Sequence, residues 1–285
     1  MLRHVGRCLS AIVLAIAATA TATAGASSGH LKVLTYNVAG LPDGFSTPHP
    51  SLNLPRIGSL LGGYDLALIQ EDFAYPGALR KNLVLPYQSP AFERGEQMHF
   101  GDGLSIFSSY SFAPLQRQAW QACHGYIDSF FDCLTPKGFT RTRMTLAPGV
   151  HVDVYNVHLD AGWGAKDAAA RESQVEQLVH AIQQYSPAAA LLVAGDTNIP
   201  TRQRDLLDRF RKQTGLTDAC SALHCPEPKR IDRVLFRSSS AVHWLPRKWR
   251  IDPRFVDENL RPLSDHLAVA VDLDWEARDP APETP

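Results

Sequence analysis

Residues 191–199 read LLVAGDTNI, a run of aliphatic residues that ends abruptly in polar ones. The aliphatic part, 191–194, predicts a buried β-strand. Because side chains alternate along an extended chain, Asp196 and Asn198 can point into one site. The alternative is a helix cap or an Asx turn, which both residue types also favour. This stretch alone leaves both interpretations open.

Polar residues also end several other aliphatic runs of the chain. Functional side chains often gather at such places, on loops that a rigid scaffold positions. Each residue has a structural alternative, as a turn residue, a buried structural histidine or a solvated acidic pair, so the prediction of one shared site depends on the complete set. That set consists of Asn37, Glu71, His158, Asp196, Asn198, Asp232, Asp265 and His266.

The chemistry of these side chains is consistent with one reaction class. Glu, Asp and Asn oxygens are ligands that Mg²⁺ prefers, and Mg²⁺ in turn binds substrate phosphate. Two histidines provide proton transfer near neutral pH. The sequence has no G-x-x-x-x-G-K-[ST] phosphate loop and no G-x-S-x-G nucleophile elbow, which argues against NTP use and against a serine hydrolase. The set therefore predicts metal-assisted hydrolysis of a phosphoester.

The N-terminus has the pattern of an export signal. Arg3, His4 and Arg7 precede the apolar run 11–20, and small residues follow. We expect residues 1–26 to be a cleaved signal peptide and the protein to be secreted or periplasmic; a retained anchor is the alternative, although the run is short for a membrane span. Without Arg3 and Arg7 the chain carries 26 Lys+Arg against 29 Asp+Glu. This balance gives no sign of a strongly basic nucleic-acid-binding protein.

Four cysteines follow the predicted signal peptide. An even number in an exported protein suggests disulfides, and sequence proximity favours Cys123–Cys133 and Cys220–Cys225. Zinc binding with nearby histidines is the alternative, but neither pair has C-x-x-C spacing.

The rest of the chain predicts one α/β domain over residues 27–278, with a disordered tail at 279–285. The predicted strands are not regularly alternated with helices, which favours helices covering two packed sheets over a doubly wound fold. Helices are expected at 55–61, 167–185 and 202–213. Strands are expected at 31–38, 66–70, 103–107, 140–146, 151–158, 191–194, 230–236 and 267–273.

Six short motifs occur in a characteristic order: LTYNV, LIQE, YNVHLD, GDTN, RIDRVLF and SDHLAV. In this order they resemble the endonuclease/exonuclease/phosphatase superfamily, which has the DNase I-like fold. The resemblance implies a four-layer α/β/β/α sandwich with two central mixed β-sheets. It also implies Mg²⁺-dependent cleavage of a phosphoester by activated water, with Mn²⁺ and Ca²⁺ as alternative ions.

The resemblance also implies a role for each polar residue. Glu71 would hold the metal, and Asn37 and Asp265 would complete or border that site. His266 would be the general base, oriented by Asp232, and His158 would contact the scissile phosphate. Asp196 and Asn198 would position the nucleophile, the phosphate or a second ion. Asp102 and Glu96 are both candidates for the acid that orients His158.

The segment DCLTPKGF at residues 132–139 resembles secreted bacterial sphingomyelinases within the superfamily. Those enzymes carry aromatic residues on a membrane-touching hairpin before the final S-D-H. Trp244 and Trp249 occupy that part of this chain, so the resemblance implies peripheral membrane contact through them. Pro246 argues against a hairpin, and packing of both rings in the protein is the alternative.

Three functions follow as hypotheses. The first is an exported, monomeric, sphingomyelinase-like phospholipase C that acts on a membrane lipid headgroup. The second is an extracellular DNase I-like endonuclease, which acts on nucleic acid. The third is a non-catalytic binding module on the same fold, which the two histidines His158 and His266 argue against.

Overall fold

In a computed structural model of the chain, the polar residues that close the aliphatic runs lie at the ends of strands. The structure describes residues 27–45, 49–91, 101–126, 129–226 and 230–278. The predicted signal peptide, the predicted tail and Glu96 lie outside the described residues. The strands are β1 (Ser28–Asn37), β2 (Leu66–Gln70), β3 (Tyr87–Gln88), β4 (Ser105–Ser108), β5 (Gln116–Ala119), β6 (Gly138–Ala147), β7 (Val150–His158), β8 (Leu191–Asp196), β9 (Thr217–Asp218), β10 (Asp232–Arg237), β11 (Val242–Ile251) and β12 (Val269–Ala277). The helices are α1 (Pro50–Leu61), α2 (Pro76–Arg80), α3 (Ala165–Tyr185), α4 (Arg204–Thr214) and α5 (Ala219–Ala222).

These strands form two mixed sheets. The first has the order β11-β12-β1-β2-β4-β3, and the second has the order β5-β6-β7-β8-β10-β9. Each sheet has one parallel pair near its centre, β1 with β2 and β7 with β8, and antiparallel neighbours outside it. In each parallel pair the polar strand ends lie at the same edge, which brings Asn37 beside Gln70 and His158 beside Asp196.

Three apolar clusters separate the four layers of the fold. Alternate residues of β1 show how, because Leu31 and Val33 pack between the two sheets while Leu34 and Tyr36 pack against α1. A third cluster, which includes Leu178, lies between the second sheet and helices α3 and α4. The predicted α/β/β/α sandwich with two central mixed β-sheets is confirmed.

Gly195 allows the central strands of the second sheet to pair closely. Its φ is +149°, and a Cβ atom placed there would lie 1.9 Å from the carbonyl oxygen of Val157 on β7. A larger residue would push β8 away from β7 and separate His158 from Asp196. The glycine directly before Asp196 therefore contributes to the geometry of the site.

The structure corrects the membrane role expected for Trp244. Its side chain is 2 % exposed and packs in the cluster between the sheets, while Trp249 is half-buried against the same cluster. Both lie on β11, an edge strand where Val242 and Trp244 alternate inward. Pro246 is tolerated because it lies at the edge of the sheet, at a register shift against β12. Packing of the Trp244 ring, the alternative interpretation, is the observed one.

Both predicted disulfides are formed, Cys123–Cys133 and Cys220–Cys225. They pair all four cysteines that follow the predicted signal peptide, so the zinc alternative has no free thiolates to use. Within the described ranges, every helix is too short or too polar to cross a bilayer.

Candidate active site

The site lies at the edge of the sandwich where the parallel strands end. Asn37 ends β1, Glu71 follows β2, His158 ends β7 and Asp196 ends β8. Strand β10 begins with Asp232, which pairs in register with Asp196. These residues come from both sheets, so packing of the two sheets assembles the site.

Asn37 lies at the centre of a cluster of carboxylates. Its amide nitrogen donates to Glu71 Oε1 at 3.0 Å and to Asp196 Oδ2 at 3.2 Å. Its Oδ1 accepts a hydrogen bond from the backbone N–H of Ala39. In this arrangement Asn37 borders the carboxylates as a donor; its expected role as a metal ligand stays a prediction.

His266 and Asp232 form a hydrogen-bonded pair. His266 Nδ1 lies 2.9 Å from Asp232 Oδ2, and His266 Nε2 faces Asp196 Oδ2 at 3.6 Å. Burial alone would lower the pKa of His266, but the negative charges of Asp196, Asp232 and Glu71 outweigh it and raise the pKa to about 10. The predicted contact between Asp232 and His266 is present, with Nε2 aimed into the site.

His158 lies at the base of the site and is fully buried. Its Nε2 is 3.6 Å from Asp196 Oδ2 and 3.8 Å from Glu71 Oε1. Burial, together with the positive charges of Lys137 and His266, holds the pKa of His158 well below its usual value. His158 is therefore a neutral imidazole, suited to donating a hydrogen bond from Nε2.

Asp102 does not orient His158, contrary to one of the two expectations. Both of its carboxylate oxygens accept from Arg117 at 2.7 Å, and one also accepts from the N–H of Leu104. The Nδ1 atom of His158 has no hydrogen-bond partner among the described residues. Glu96, the other candidate, lies outside those residues.

Asn198 is placed differently from the expectation that it shares a face with Asp196. Strand β8 ends at Asp196, and Asn198 has left-handed backbone geometry with φ of +46°. Its backbone N–H donates to Asp196 Oδ1, and its amide nitrogen donates to the Leu159 carbonyl at 2.9 Å. Asp196 therefore accepts the hydrogen bond of an Asx turn and also lies in the site. Asn198 holds the segment after His158 in place through the Leu159 carbonyl.

Asp265 lies next to His266 at the exposed side of the site. Ser264 connects this end of the chain to β1, because its hydroxyl donates to the Asn37 carbonyl at 2.7 Å and accepts from the His266 N–H. Asp265 Oδ1 lies 3.3 Å from the same hydroxyl. Its predicted role as a metal ligand stays a prediction.

Lys137 is a site residue that the set of strand-end residues did not include. It is a buried lysine that forms an ion pair with Asp132. Burial alone would lower the pKa of its ammonium group, but the carboxylates of Asp132, Glu71 and Asp196 outweigh burial and raise it. The positive charge of a buried lysine thus acts on two of the predicted site carboxylates. The lysine in DCLTPKG was the only sequence signal for it.

The donor set fits a hard divalent cation. Ligand atoms of Asp196, Asp232 and His266 lie within 4.8 Å of one another, and Asp232 Oδ1 is buried without a hydrogen-bond partner. Burial raises the pKa of Glu71 and of Asp196, so the hydrogen bonds and positive charges around them compensate their charged forms only in part. A cation would supply the rest of that compensation. The predicted ligand Glu71 borders this cluster through Asn37, which donates to both Glu71 and Asp196. Asp196 was expected to position the nucleophile, the phosphate or a second ion, and Asp232 to orient His266.

The backbone at the site is also unusual. Glu71 has φ of +60°, in a left-handed region that costs a non-glycine residue about 1–2 kcal/mol. Its carbonyl oxygen accepts from the Gly40 N–H, where a Cβ atom would lie 2.2 Å away. Such strain is most often found at functional sites, where surrounding contacts maintain it.

Known proteins resemble this chain over most of its length. The sequence profile of the Endonuclease/Exonuclease/phosphatase family matches residues 34–266. The proteins named Sphingomyelinase from Mycobacterium tuberculosis and Mycobacterium bovis are 34 % identical over 278 residues, which cover 88 % of this chain and 54 % of theirs. The chain thus spans about half the length of the curated relatives it matches.

Solved structures share the fold at low sequence identity. Sphingomyelinase C from Streptomyces griseocarneus is 19 % identical with a TM-score of 0.64, covering 88 % of this chain and 100 % of that one. TDP2 from D. rerio, complexed with a single-strand DNA product, is 18 % identical with a TM-score of 0.65, covering 86 % and 98 %. A beta toxin variant from Staphylococcus aureus with bound magnesium ions is 16 % identical with a TM-score of 0.61, covering 85 % and 99 %.

Proposed function

The chain belongs to the endonuclease/exonuclease/phosphatase family, and on that premise we propose that it is an exported, Mg²⁺-dependent phosphodiesterase that hydrolyses sphingomyelin-like lipids. The observation that carries this proposal is the convergence of Glu71, Asp196, Asp232 and two histidines at one edge of the two-sheet sandwich. The two disulfides support export, because such bonds persist in oxidising compartments.

In the proposed reaction, His266 removes a proton from the attacking water. Asp232 holds His266 Nδ1, so that Nε2 is the atom that accepts the proton. The charges of Asp196, Asp232 and Glu71 raise the pKa of His266. A cation bound beside these carboxylates would offset their charge and lower that pKa, so that Nε2 could accept a proton. When bound, Mg²⁺ supplies Lewis-acid stabilisation of the negative charge on the phosphate.

Two further residues are proposed to bind the phosphate. The neutral His158 donates a hydrogen bond from Nε2, and Lys137 offers a positive charge. Glu71 and Asp196 are proposed to hold the cation, with Asn37 and Asp265 at its border. Asn198 keeps the chain after His158 in place through the Leu159 carbonyl.

The lipid substrate is supported by the distribution of exposed apolar side chains. The described parts of four loops, 38–45 with 49, 120–126 with 129–137, 159–164 and 252–268, lie at the catalytic end, because β6 and β12 begin beside the ends of β7 and β1. The opposite end has fewer exposed apolar residues among those described: Val84, Tyr87 and Tyr185. The catalytic end carries Phe45, Leu52, Tyr126, Leu134, Trp163, Leu260 and Leu267.

Trp163 is the aromatic residue best suited to meet a lipid surface. Its side chain is 65 % exposed, on the loop that follows His158 and precedes α3. The Arg202 guanidinium lies 5.0 Å from the centre of its ring, which pairs an apolar ring with a cation suited to phosphate headgroups. Trp163 therefore replaces Trp244 as the proposed point of membrane contact.

A comparison of three substrates tests this function. Purified protein with Mg²⁺ is given sphingomyelin vesicles, single-stranded DNA and a soluble phosphodiester. We expect hydrolysis of the vesicle lipid and of the soluble ester. Trp163→Ala should reduce only the vesicle reaction, and Tyr87→Ala, an exposed tyrosine at the opposite end, should reduce neither. DNA cleavage without lipid hydrolysis would replace the lipid proposal with the nuclease, and hydrolysis of none of the three would overturn the proposal.

A further inference from the structure

The segment between β5 and β6, residues 120–137, is closed by the Cys123–Cys133 disulfide and is called here the disulfide loop. Each cysteine lies next to a residue that contacts the segment after His158. The N–H of His124 donates to Asp160 Oδ2 at 2.7 Å, and the N–H of Ala161 donates to an Asp132 oxygen at 2.6 Å. The disulfide thus joins the two attachment points of this loop.

Asp132 connects the disulfide loop to the catalytic centre. One of its oxygens holds the Ala161 N–H, and the other pairs with the ammonium group of Lys137. The charge of Lys137 in turn interacts with the charges of Glu71 and Asp196. Because Cys133 directly follows Asp132, the disulfide restricts the carboxylate that determines where the ammonium group lies.

We propose that the Cys123–Cys133 disulfide is a positioning element of the active site, which holds Asp132 against Lys137 so that the ammonium group meets the substrate phosphate. This inference rests on the proposed phosphodiesterase function. A dithiol reductant would supply the two electrons and two protons that convert the disulfide into two thiols, and would itself become a disulfide. The protein would then remain folded but turn over slowly, so the oxidation state of this disulfide would control its activity.

The remaining contacts of the disulfide loop explain why it would stay folded. The indole N–H of Trp120 donates to the His158 carbonyl at 2.7 Å, and Gln174 donates to the Ala122 carbonyl at 2.8 Å. His124 Nδ1 also lies 2.6 Å from an Asp167 oxygen on α3. These bonds hold the first part of the loop without the disulfide. In the second part, which carries Asp132, the Cys133 N–H donates to the Gly125 carbonyl at 2.8 Å, so the disulfide reinforces one backbone hydrogen bond there.

The test compares a variant that lacks the Cys123–Cys133 disulfide with a variant that lacks the Cys220–Cys225 disulfide. In Cys123→Ser/Cys133→Ser we expect kcat for the soluble phosphodiester to fall about 10- to 100-fold, the loss typical of a displacement near 1 Å at a reacting centre. Cys220→Ser/Cys225→Ser is the matched control, because its described contacts do not reach Asp132 or Lys137, and it should keep near-wild-type kcat. Equal losses in the two variants, or none in the first, would overturn the inference.

A double-mutant cycle separates positioning from general stability. In an Asp132→Asn background, removal of Cys123–Cys133 should cause less than a twofold further loss of kcat, because Asp132 is the link to Lys137. Independent losses that multiply would refute the link. If Cys123→Ser/Cys133→Ser does not fold, dithiothreitol titration of the Cys220→Ser/Cys225→Ser variant replaces it: activity should fall as the two remaining thiols appear, before the protein melts.

Failure of the inference and failure of the function give different results. A wild-type protein that hydrolyses no phosphodiester would remove the proposed function. A wild-type protein that is active, with kcat unaffected by Cys123→Ser/Cys133→Ser, would remove only the inference.

Discussion

Replacing His266 by glutamine should change the stability of the metal-free protein in a pH-dependent way. The carboxylates of Asp196, Asp232 and Glu71 raise the pKa of His266 from 6.5 to about 10 in the folded state. A raised pKa stabilises the fold fully below pH 6.5, and this stabilisation is lost as pH rises through about 10. The rise in pKa from 6.5 to about 10 corresponds to at most about 5 kcal/mol of stabilisation, at about 1.4 kcal/mol per pH unit.

The measured difference should lie below that limit. Burial raises the pKa of Asp196, so its charged form is already disfavoured in the folded state and part of the gain from its pairing with His266 is offset. Urea denaturation of wild type and variant in EDTA, from pH 6 to pH 10, gives the difference in free energy of unfolding. It should be largest at pH 6 and shrink towards pH 10. His180→Gln, an exposed histidine on α3, serves as control. A difference that is flat or grows with pH would refute the electrostatic account of the site.

Three other changes test separate parts of the structure. Lys137→Met should lower kcat about 10²- to 10³-fold, as loss of a charge-stabilising donor does, while Lys166→Met, on the exposed face of α3, should leave kcat unchanged in the same assay. Trp244→Ala should lower the free energy of unfolding by about 3–5 kcal/mol in urea denaturation, because the ring fills the space between the sheets. Trp163→Ala should weaken binding to sphingomyelin vesicles in a flotation assay while leaving the melting temperature within a few degrees of wild type; a large drop in melting temperature would make this tryptophan structural.

The strand ends could be predicted because their signals are local. Aliphatic runs that close on Asn37, Glu71, His158 and Asp196 show both the strand and its end in a few consecutive residues. The structure brings these four side chains together at one edge, as the set predicted. Most strand and helix bounds shifted by one to five residues. Backbone pairing continues past the apolar residues in β1 and β8, whereas β4, β10 and β12 begin two residues later than predicted.

The contacts that sequence could not show are those made across the chain. Lys137 matters through Asp132, Glu71 and Asp196, and only the packed sheets bring these together. The segment around Trp244 contains proline and several basic residues, which favours an exposed position. Its burial comes from pairing of β11 with β12, which turns alternate side chains inward. The sequence also could not show that Asp102 accepts hydrogen bonds from Arg117, which leaves this carboxylate unavailable to orient His158.

The most direct test of the central claim is a Mg²⁺ titration of EDTA-treated protein on the soluble phosphodiester, with wild type, Glu71→Gln and Glu172→Gln. Glu172 is an exposed residue of α3 and serves as the matched control. The wild type and Glu172→Gln should be inactive without Mg²⁺, and both should regain full activity along the same Mg²⁺ saturation curve. Glu71→Gln should remain folded but lose at least about 10²-fold in kcat at saturating Mg²⁺, since several kcal/mol of charge stabilisation depend on the metal site. Activity that survives EDTA, or near-wild-type turnover in Glu71→Gln, would contradict the account.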